Sequence, residues 1–170
     1  EPPTIHTDYL KEGVRRYGEV LGRLRQHNSN FPLVAELQSV IKAGNDRGGG
    51  NVPVFETIGL GRDSEGSEWI IDRVDAEDER PLCVAVWGGT CDLAQALWKV
   101  RAYRSEEDVS RFVGRLRVHA IGDQDSTSAW IRSEFPELFY IHNRAPEGSS
   151  FESSFRGIFL GGDYSTLSLE

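Results

Sequence analysis

Apolar residues in the first quarter of the chain recur at the spacing of an α-helix. The recurring residues are Leu10, Val14, Tyr17, Leu21 and Leu24. Their separations alternate between four and three positions, which predicts a helix with one apolar stripe, capped by Thr7 or Asp8. A similar pattern runs from Leu33 to Ala43, and Gly44 follows it where a C-terminal cap belongs. The pattern therefore predicts two consecutive amphipathic helices.

The pattern is less regular between residues 45 and 80. The stretch "NDRGGGNVP" has no apolar period and is rich in glycine, which predicts a flexible surface loop. Val54 to Ile58 is short and apolar enough for a strand. Further on, apolar residues at helical spacing follow two serines, so a helix is predicted to begin at Ser64 or Ser67.

In the second half, short apolar runs alternate with helical patterns. The run "LCVAVW" does not alternate with polar residues, which predicts a strand covered on both faces with Cys83 buried. Asp92 and Gln95 resemble a capping box at the start of the next helix, and Ser105 opens another. "VHAIG", the helix from Ile131 to Phe135 and "LFYIHN" continue the alternation. This order predicts an α/β domain with an open, mostly parallel sheet and helices on both faces.

Three polar loops, "GGTCD", "GDQDS" and "HNRAPEG", follow the three predicted strands. Parallel α/β sheets bind ligands at the carboxyl ends of their strands, so the loops predict a binding site. The candidate residues that bind the ligand at this edge are Trp87, Gly88, Gly89, Thr90, Cys91, Asp92, Gln124 and Trp130, and the candidate catalytic residues are Asp123 and Asp125.

Each candidate also has a purely structural interpretation. Asp123 and Asp125 are two positions apart and could share acid and base roles or bind a cation, but one could instead cap the following helix while the other is solvated. Trp87 and Trp130 could stack on a sugar or a base, or could pack in the core. Ser64, with Glu65 and Ser67, could bind a hydroxyl or an anion at a helix start, or the serines could cap the helix themselves.

Composition narrows the class of partner. The 170 residues carry 27 acidic and 19 basic side chains, a net charge of −8, and the basic residues are dispersed. This argues against nucleic acid or an anionic membrane as the partner, because both need clustered Lys and Arg. No apolar run approaches the length of a membrane span, and the first residues do not form a signal peptide. A disulfide between Cys83 and Cys91 is not expected, because an extended strand separates them.

Four segments in order, "DSEGSEWII", "RPLCVAVWGGTCDLAQALWKVR", "RFVGRLRVHAIGDQDSTSAWIRSEFPELFYI" and "GIFLGGD", resemble the nucleoside-hydrolase-like domain of proteins described as cellulose-binding. The resemblance spans nearly the whole chain. It implies a Rossmann-like relative of the inosine-uridine N-ribohydrolases, which hold calcium in a cluster of aspartates. Asp125 would then be a metal ligand. The family also implies a secreted or extracytoplasmic location.

The resemblance also implies that residues 1–170 are one domain that is truncated at both ends. It begins after the Asp-rich loop that supplies most metal ligands in the relatives, and it stops before a later segment with a His and an Asp. Cys91 stands where the family usually has Asn, which replaces a side-chain donor and acceptor by a weak donor.

Two functions from different classes follow from these observations. The first is a hydrolase-like domain that acts on or binds N-glycosides or other carbohydrates, with a small sugar or nucleoside as ligand and calcium as the implied cofactor. The second is a noncatalytic carbohydrate-binding or assembly module that retains the fold. The absence of a first strand would also expose a sheet edge, through which the chain could self-associate.

Overall fold

The structure is a computed structural model that describes residues 5–48 and 50–143. The elements in chain order are α1 (Thr7–His27), α2 (Val34–Ser39), α3 (Val54–Thr57), α4 (Glu65–Asp75), β1 (Leu82–Val86), α5 (Cys91–Tyr103), α6 (Glu106–Gly114), β2 (Leu116–Ala120), α7 (Thr127–Glu134) and β3 (Phe139–His142). From α4 onward each strand is separated from the next by helices, with α5 and α6 both lying between β1 and β2, as the sequence pattern predicts.

The three strands form one parallel sheet in the order β1-β2-β3. Val84 of β1 pairs with Val118 of β2, and Val118 pairs in turn with Tyr140 of β3. Because all three strands run in the same direction, the loops that follow them leave at the same edge. The predicted open α/β fold with a parallel sheet is confirmed.

One face of the sheet packs on helices and forms the core. The largest fully buried side chains of this core include Leu97 and Val100 of α5, Val113 of α6, Leu116 and Val118 of β2, and Ile131 of α7. Two right-handed crossovers that step in the same direction across a sheet place their helices on the same face. This accounts for the single core among the described residues.

The opposite face is exposed in the part of the chain that the structure describes. Cys83 and Ala85 of β1, His119 of β2, and Phe139 and Ile141 of β3 all lie on it and are exposed. The prediction that Cys83 is buried is wrong. Alternate side chains of β1 point to opposite faces of the sheet. The described residues cover only the face toward α5, so Cys83 and Ala85 on the other face are exposed.

The two N-terminal helices differ in detail from their predictions. α1 is confirmed, but His6 takes the N-cap position and no side chain caps the helix, so the prediction of Thr7 or Asp8 as the cap is wrong. α2 ends at Ser39 rather than at Ala43. The backbone of Ala43 instead accepts a bond from the Gly66 N–H (2.9 Å) and donates to the Glu65 carboxylate (2.9 Å), which are contacts with α4.

Two further local predictions change in the fold, and a third is confirmed. Val54 to Thr57 forms one helical turn after Pro53, and not a strand. Helix α5 has Thr90 as its N-cap, so the predicted capping box of Asp92 and Gln95 does not form. Ser105 does cap α6, as predicted, by accepting a bond from the Asp108 N–H.

Both cysteines are free, in agreement with the prediction. Among the described residues, no helix has the length and apolar character needed to span a membrane. The segment "GIFLGGD" and most of the loop "HNRAPEG" lie outside the described residues.

Candidate functional site

The loops after β1 and β2 meet at the carboxyl edge of the sheet. The Gln124 amide donates to the backbone carbonyls of Trp87 (3.0 Å) and Gly88 (3.2 Å). One side chain therefore ties the two predicted loops together. The structure brings Trp87, Gly88 and Gly89 next to the segment from Asp123 to Asp125, as the parallel sheet requires.

Asp125 is buried at this edge, with 8% of its surface exposed. Its Oδ2 accepts a bond from the Thr90 N–H (2.7 Å), and its Oδ1 accepts from the Thr127 N–H (3.0 Å) and the Thr127 hydroxyl (2.7 Å). The Thr90 hydroxyl also donates to Oδ1 (3.1 Å). We call Thr90, Asp125 and Thr127 the clasp, because the carboxylate joins the first turns of α5 and α7. A cap of this kind satisfies backbone N–H groups that a helix start leaves unpaired.

Gly89 has to be glycine for the clasp to close. A Cβ at this position would overlap Asp125 Oδ2 and approach its Cγ to 3.0 Å. The close approach of a buried carboxylate therefore explains Gly89 without a bound ligand, whereas a Cβ on Gly88 would meet open space.

Asp123 lies in a different environment, although it is only two residues away. It accepts two bonds from the guanidinium of Arg132 (2.8 and 2.7 Å), and His142 Nε2 lies 3.4 Å from its Oδ1. The bonds from Arg132 hold the pKa of Asp123 below its ordinary value, because they stabilise the ionised carboxylate. We call Trp87, Asp123, Arg132 and His142 the rim.

Trp87 is the most exposed aromatic side chain of the predicted set, with 62% of its surface accessible. Trp130 is half-buried instead. Its ring lies edge-on to Phe135 at 5.8 Å, and the guanidinium of Arg101 lies 5.3 Å from its centroid. The structure therefore places Trp87 at the carboxyl edge and packs Trp130 between α7 and α5.

The sequence predicted that the glycine-rich segment is a flexible surface loop. In the structure this segment lies across the start of α5. We call residues 44–48 the strap. The Asn45 N–H donates to Asp92 Oδ1 (2.9 Å), and Gly48 is buried against the thiol of Cys91. Beyond the strap, the backbone of Gly50 forms a bridge with Asp125. The strap therefore covers the N-terminal turn of α5.

Asp92 and Cys91 lie beneath the strap. Burial raises the pKa of Asp92 above its ordinary value, although its Oδ1 also accepts a bond from the Ser64 hydroxyl (2.5 Å). Burial and the negative charge of Asp92 raise the pKa of the Cys91 thiol to about 12. Cys91 is therefore a neutral thiol at physiological pH, and not a nucleophile.

Ser64, Glu65 and Ser67 bind the polypeptide itself. The Ser64 hydroxyl accepts a bond from the Ser67 N–H (2.9 Å), and the Ser67 hydroxyl accepts from the Ser64 N–H (2.9 Å). Glu65 accepts from the Ala43 N–H. In this structure the three residues thus cap α4 and connect it to the segment that precedes the strap.

Asn45 and Gln95 hold this region together through contacts that the sequence pattern does not predict for either residue. Asn45 donates from its side chain to the Thr57 carbonyl (2.9 Å) as well as from its backbone to Asp92. Gln95 is fully buried, where it accepts from the Gly59 N–H (2.7 Å) and donates to Asp63 (2.6 Å). The available signals were an Asn at the start of a glycine-rich stretch and a Gln on the apolar face of a predicted helix.

The residues that the structure describes do not by themselves fit calcium, which prefers six to eight oxygen ligands. Within residues 5–48 and 50–143, no group of three or more His, Cys, Asp or Glu side chains could hold a metal ion. The two oxygens of Asp125 already accept bonds from Thr90 and Thr127, so this carboxylate has a structural task in the clasp.

Comparison with known proteins gives two matches. A family model described as "Cellulose-binding Sde182, nucleoside hydrolase-like domain" matches residues 2–166. A solved structure from Saccharophagus degradans, described as a nucleoside hydrolase-related hypothetical protein associated with carbohydrate metabolism, is 37% identical to this chain with a TM-score of 0.77. The match covers 83% of this chain and 33% of that chain, so this chain spans about a third of its relative's length. No curated protein matches the chain.

Proposed function

Because the chain belongs to the family of nucleoside hydrolase-like domains of cellulose-binding proteins, we propose that it binds a carbohydrate at the carboxyl edge of its sheet. The observation that carries the proposal is the exposed indole of Trp87 at the end of β1. Aromatic faces stack on the apolar faces of sugar rings, and a rigid ring loses little conformational entropy on binding.

The surroundings of Trp87 support this role. Gln124 holds the backbone carbonyls of Trp87 and Gly88 in place, so the loop that carries the indole is fixed before a ligand arrives. Asp123 lies in the loop after β2, Arg132 is in α7 and His142 ends β3, and the three side chains bring hydrogen-bonding groups for hydroxyls to the same edge. A net charge of −8 favours a neutral sugar over an anionic one.

The test is isothermal titration of cellohexaose and of ribose into the full chain and its variants. We expect Trp87→Ala to weaken binding about tenfold, which corresponds to about 1.4 kcal/mol, and Trp87→Phe to retain most of the affinity. Tyr103→Ala is the matched control, because Tyr103 is 66% exposed and lies at the opposite end of α5. Equal affinities of the wild type and Trp87→Ala would refute the proposal.

A second candidate function is the hydrolysis of an N-glycosidic bond. The observation that favours it is the ionised carboxylate of Asp123 beside His142 at the ligand-binding edge. Such a carboxylate can stabilise the positive charge that develops on the sugar ring, and His142 is placed to exchange a proton with a leaving base or with water. Asp125 would position the loop through the clasp.

Hydrolysis is tested with nitrophenyl ribosides and nucleosides. We expect Asp123→Asn to remove turnover while leaving the thermal unfolding midpoint within a few degrees of the wild type. If Asp123→Asn retains full turnover, the catalytic role is wrong. If the wild type gives no turnover while Trp87→Ala weakens binding, the chain acts as a binding module.

A further inference from the structure

A polar cleft lies beside the carboxyl edge, between the strap and the segment that leads into α4. Its volume is about 310 Å³, and its walls are residues 43–47 on one side and residues 61–65 on the other. None of the residues assigned to stacking on the ligand lines it. The cleft is thus distinct from the surface around Trp87.

The walls of the cleft are held in place by hydrogen bonds in the protein. Asn45 is bonded through its backbone to Asp92 and through its side chain to the Thr57 carbonyl, and its Oδ1 accepts from the Arg47 N–H (2.8 Å). On the other side, the Ser64 hydroxyl donates to the same Asp92 oxygen. Both walls therefore rest on Asp92, and a ligand would meet a preorganised cleft with little ordering cost.

The lining favours a neutral ligand with many hydroxyl groups. Arg47 and Arg62 bring two guanidinium groups, and Asp46, Asp63 and Glu65 bring three carboxylates. Lys99 lies 2.8 Å from Asp63 and shares its charge between Asp63 and Glu68, so the net charge of the lining is small. Neighbouring donors and acceptors with little net charge suit hydroxyl groups, each of which both donates and accepts, better than they suit an anion or a metal ion.

The cleft and Trp87 share the same end of α5. Asp92, on which both walls rest, is in the first turn of that helix and follows Trp87 by five residues. We propose that the cleft is a second carbohydrate subsite, so that the domain binds several rings of one glucan chain and not a single sugar. This inference rests on the proposed function, in which Trp87 binds the first part of the chain.

The experiment compares cellobiose with cellohexaose in isothermal titrations of the full chain. We expect Arg62→Ala to weaken cellohexaose about tenfold and to leave the affinity for cellobiose unchanged, because the proposal assigns the first rings to Trp87 and only the later rings of a longer chain to the cleft. Trp87→Ala is expected to weaken both ligands. Arg80→Ala is the matched control, because Arg80 is exposed and paired with Asp78 away from the cleft.

Amide chemical shifts supply a readout that needs no substitution. The amides of Asn45 and Ser64 are expected to shift with cellohexaose and to remain in place with cellobiose. The inference is overturned if Arg62→Ala changes the two affinities by the same factor, or changes neither, while Trp87→Ala weakens both. If Trp87→Ala changes neither affinity, the proposed function fails, and the selectivity of Arg62→Ala alone then decides whether the cleft binds long chains.

Discussion

The clasp and the rim lie side by side at the carboxyl edge and put the same chemical group to different uses. Asp125 of the clasp is buried and accepts four hydrogen bonds from two threonines, whereas Asp123 of the rim is partly exposed and paired with Arg132. Removing one or the other of these two carboxylates, which lie in the same loop, should therefore change the free energy of unfolding by different amounts. The buried one holds the starts of two helices together, and the partly exposed one is the carboxylate that we propose for ligand binding.

The clasp should give the largest effect on stability. Asp125→Ala leaves the buried N–H groups of Thr90 and Thr127 without their acceptor, which should lower the free energy of unfolding by about 3 kcal/mol or more. Urea titration followed by tryptophan fluorescence measures it. Asp46→Ala is the control, because Asp46 is exposed. A loss below about 1 kcal/mol would mean that the clasp does not stabilise the domain.

The strap should give the next largest effect. A Cβ on Gly48 would lie 2.5 Å from the Cys91 Sγ and 2.9 Å from its Cβ, so Gly48→Ala should destabilise the fold by about 2 kcal/mol through overpacking. Gly22→Ala is the matched control. Gly22 is in α1 with open space around it, so alanine there should stabilise the helix by about 0.5 kcal/mol or slightly more. Equal stability of Gly48→Ala and the wild type would show that the strap does not press on Cys91 in solution.

The next effect in size concerns Asp92, and it should appear in how the free energy of unfolding depends on pH. Burial raises the pKa of Asp92 in the folded state, so the folded state holds this proton more tightly than the unfolded chain. The contribution of Asp92 to stability is therefore greatest in acid and falls as the pH rises from its ordinary value near 3.8 through the raised value. Asp92→Asn should remove this fall.

The measurement is a series of urea titrations between pH 3 and pH 7 for the wild type and Asp92→Asn. The difference in the free energy of unfolding between the two proteins should shift in favour of Asp92→Asn as the pH rises. The contribution of Asp123 to stability changes with pH in the opposite direction, because Arg132 lowers its pKa. Asp123 is present in both proteins, so its contribution cancels in the difference. A difference that stays constant with pH would contradict the raised pKa of Asp92.

The smallest effect on stability belongs to the rim. Asp123→Ala removes an ion pair whose carboxylate is about a third exposed, so the loss should be about 1 kcal/mol or less and should shrink further in 1 M NaCl. The same variant is expected to weaken carbohydrate binding. A stability loss as large as that of Asp125→Ala would mean that the rim is part of the folded framework and not a ligand-binding surface.

The two faces of the sheet show where pattern alone misleads. The run "LCVAVW" is apolar throughout, and yet Cys83 and Ala85 are exposed while Val86 is buried. Periodicity indicates what a segment could bury. Whether both sides of a strand are covered depends on the direction of the crossovers and on which helices reach each face, and these are properties of the whole sheet.

The local pattern of apolar and polar residues was sufficient to predict most of the helices and strands. The stripe on α1, the Ser64 and Ser105 caps, the three strands and their parallel order, and the meeting of the loops after β1 and β2 all follow from short-range periodicity and from the geometry of parallel sheets. These features depend on neighbours within a few residues or on a general rule of chain connection, so the sequence contains them directly.

Only the tertiary structure decided the tasks of the individual side chains. Asp125 accepts a hydrogen bond from the N–H of Thr90, which is 35 positions away in the chain, and Asn45 reaches Asp92 across 47 positions. Contacts at such separations decided that α2 ends at Ser39, that the glycine-rich segment is a strap, and that Asp125 is buried while Asp123 is not. Burial and hydrogen-bond partners set the energy and protonation of a carboxylate, and both depend on residues that no local spacing reveals.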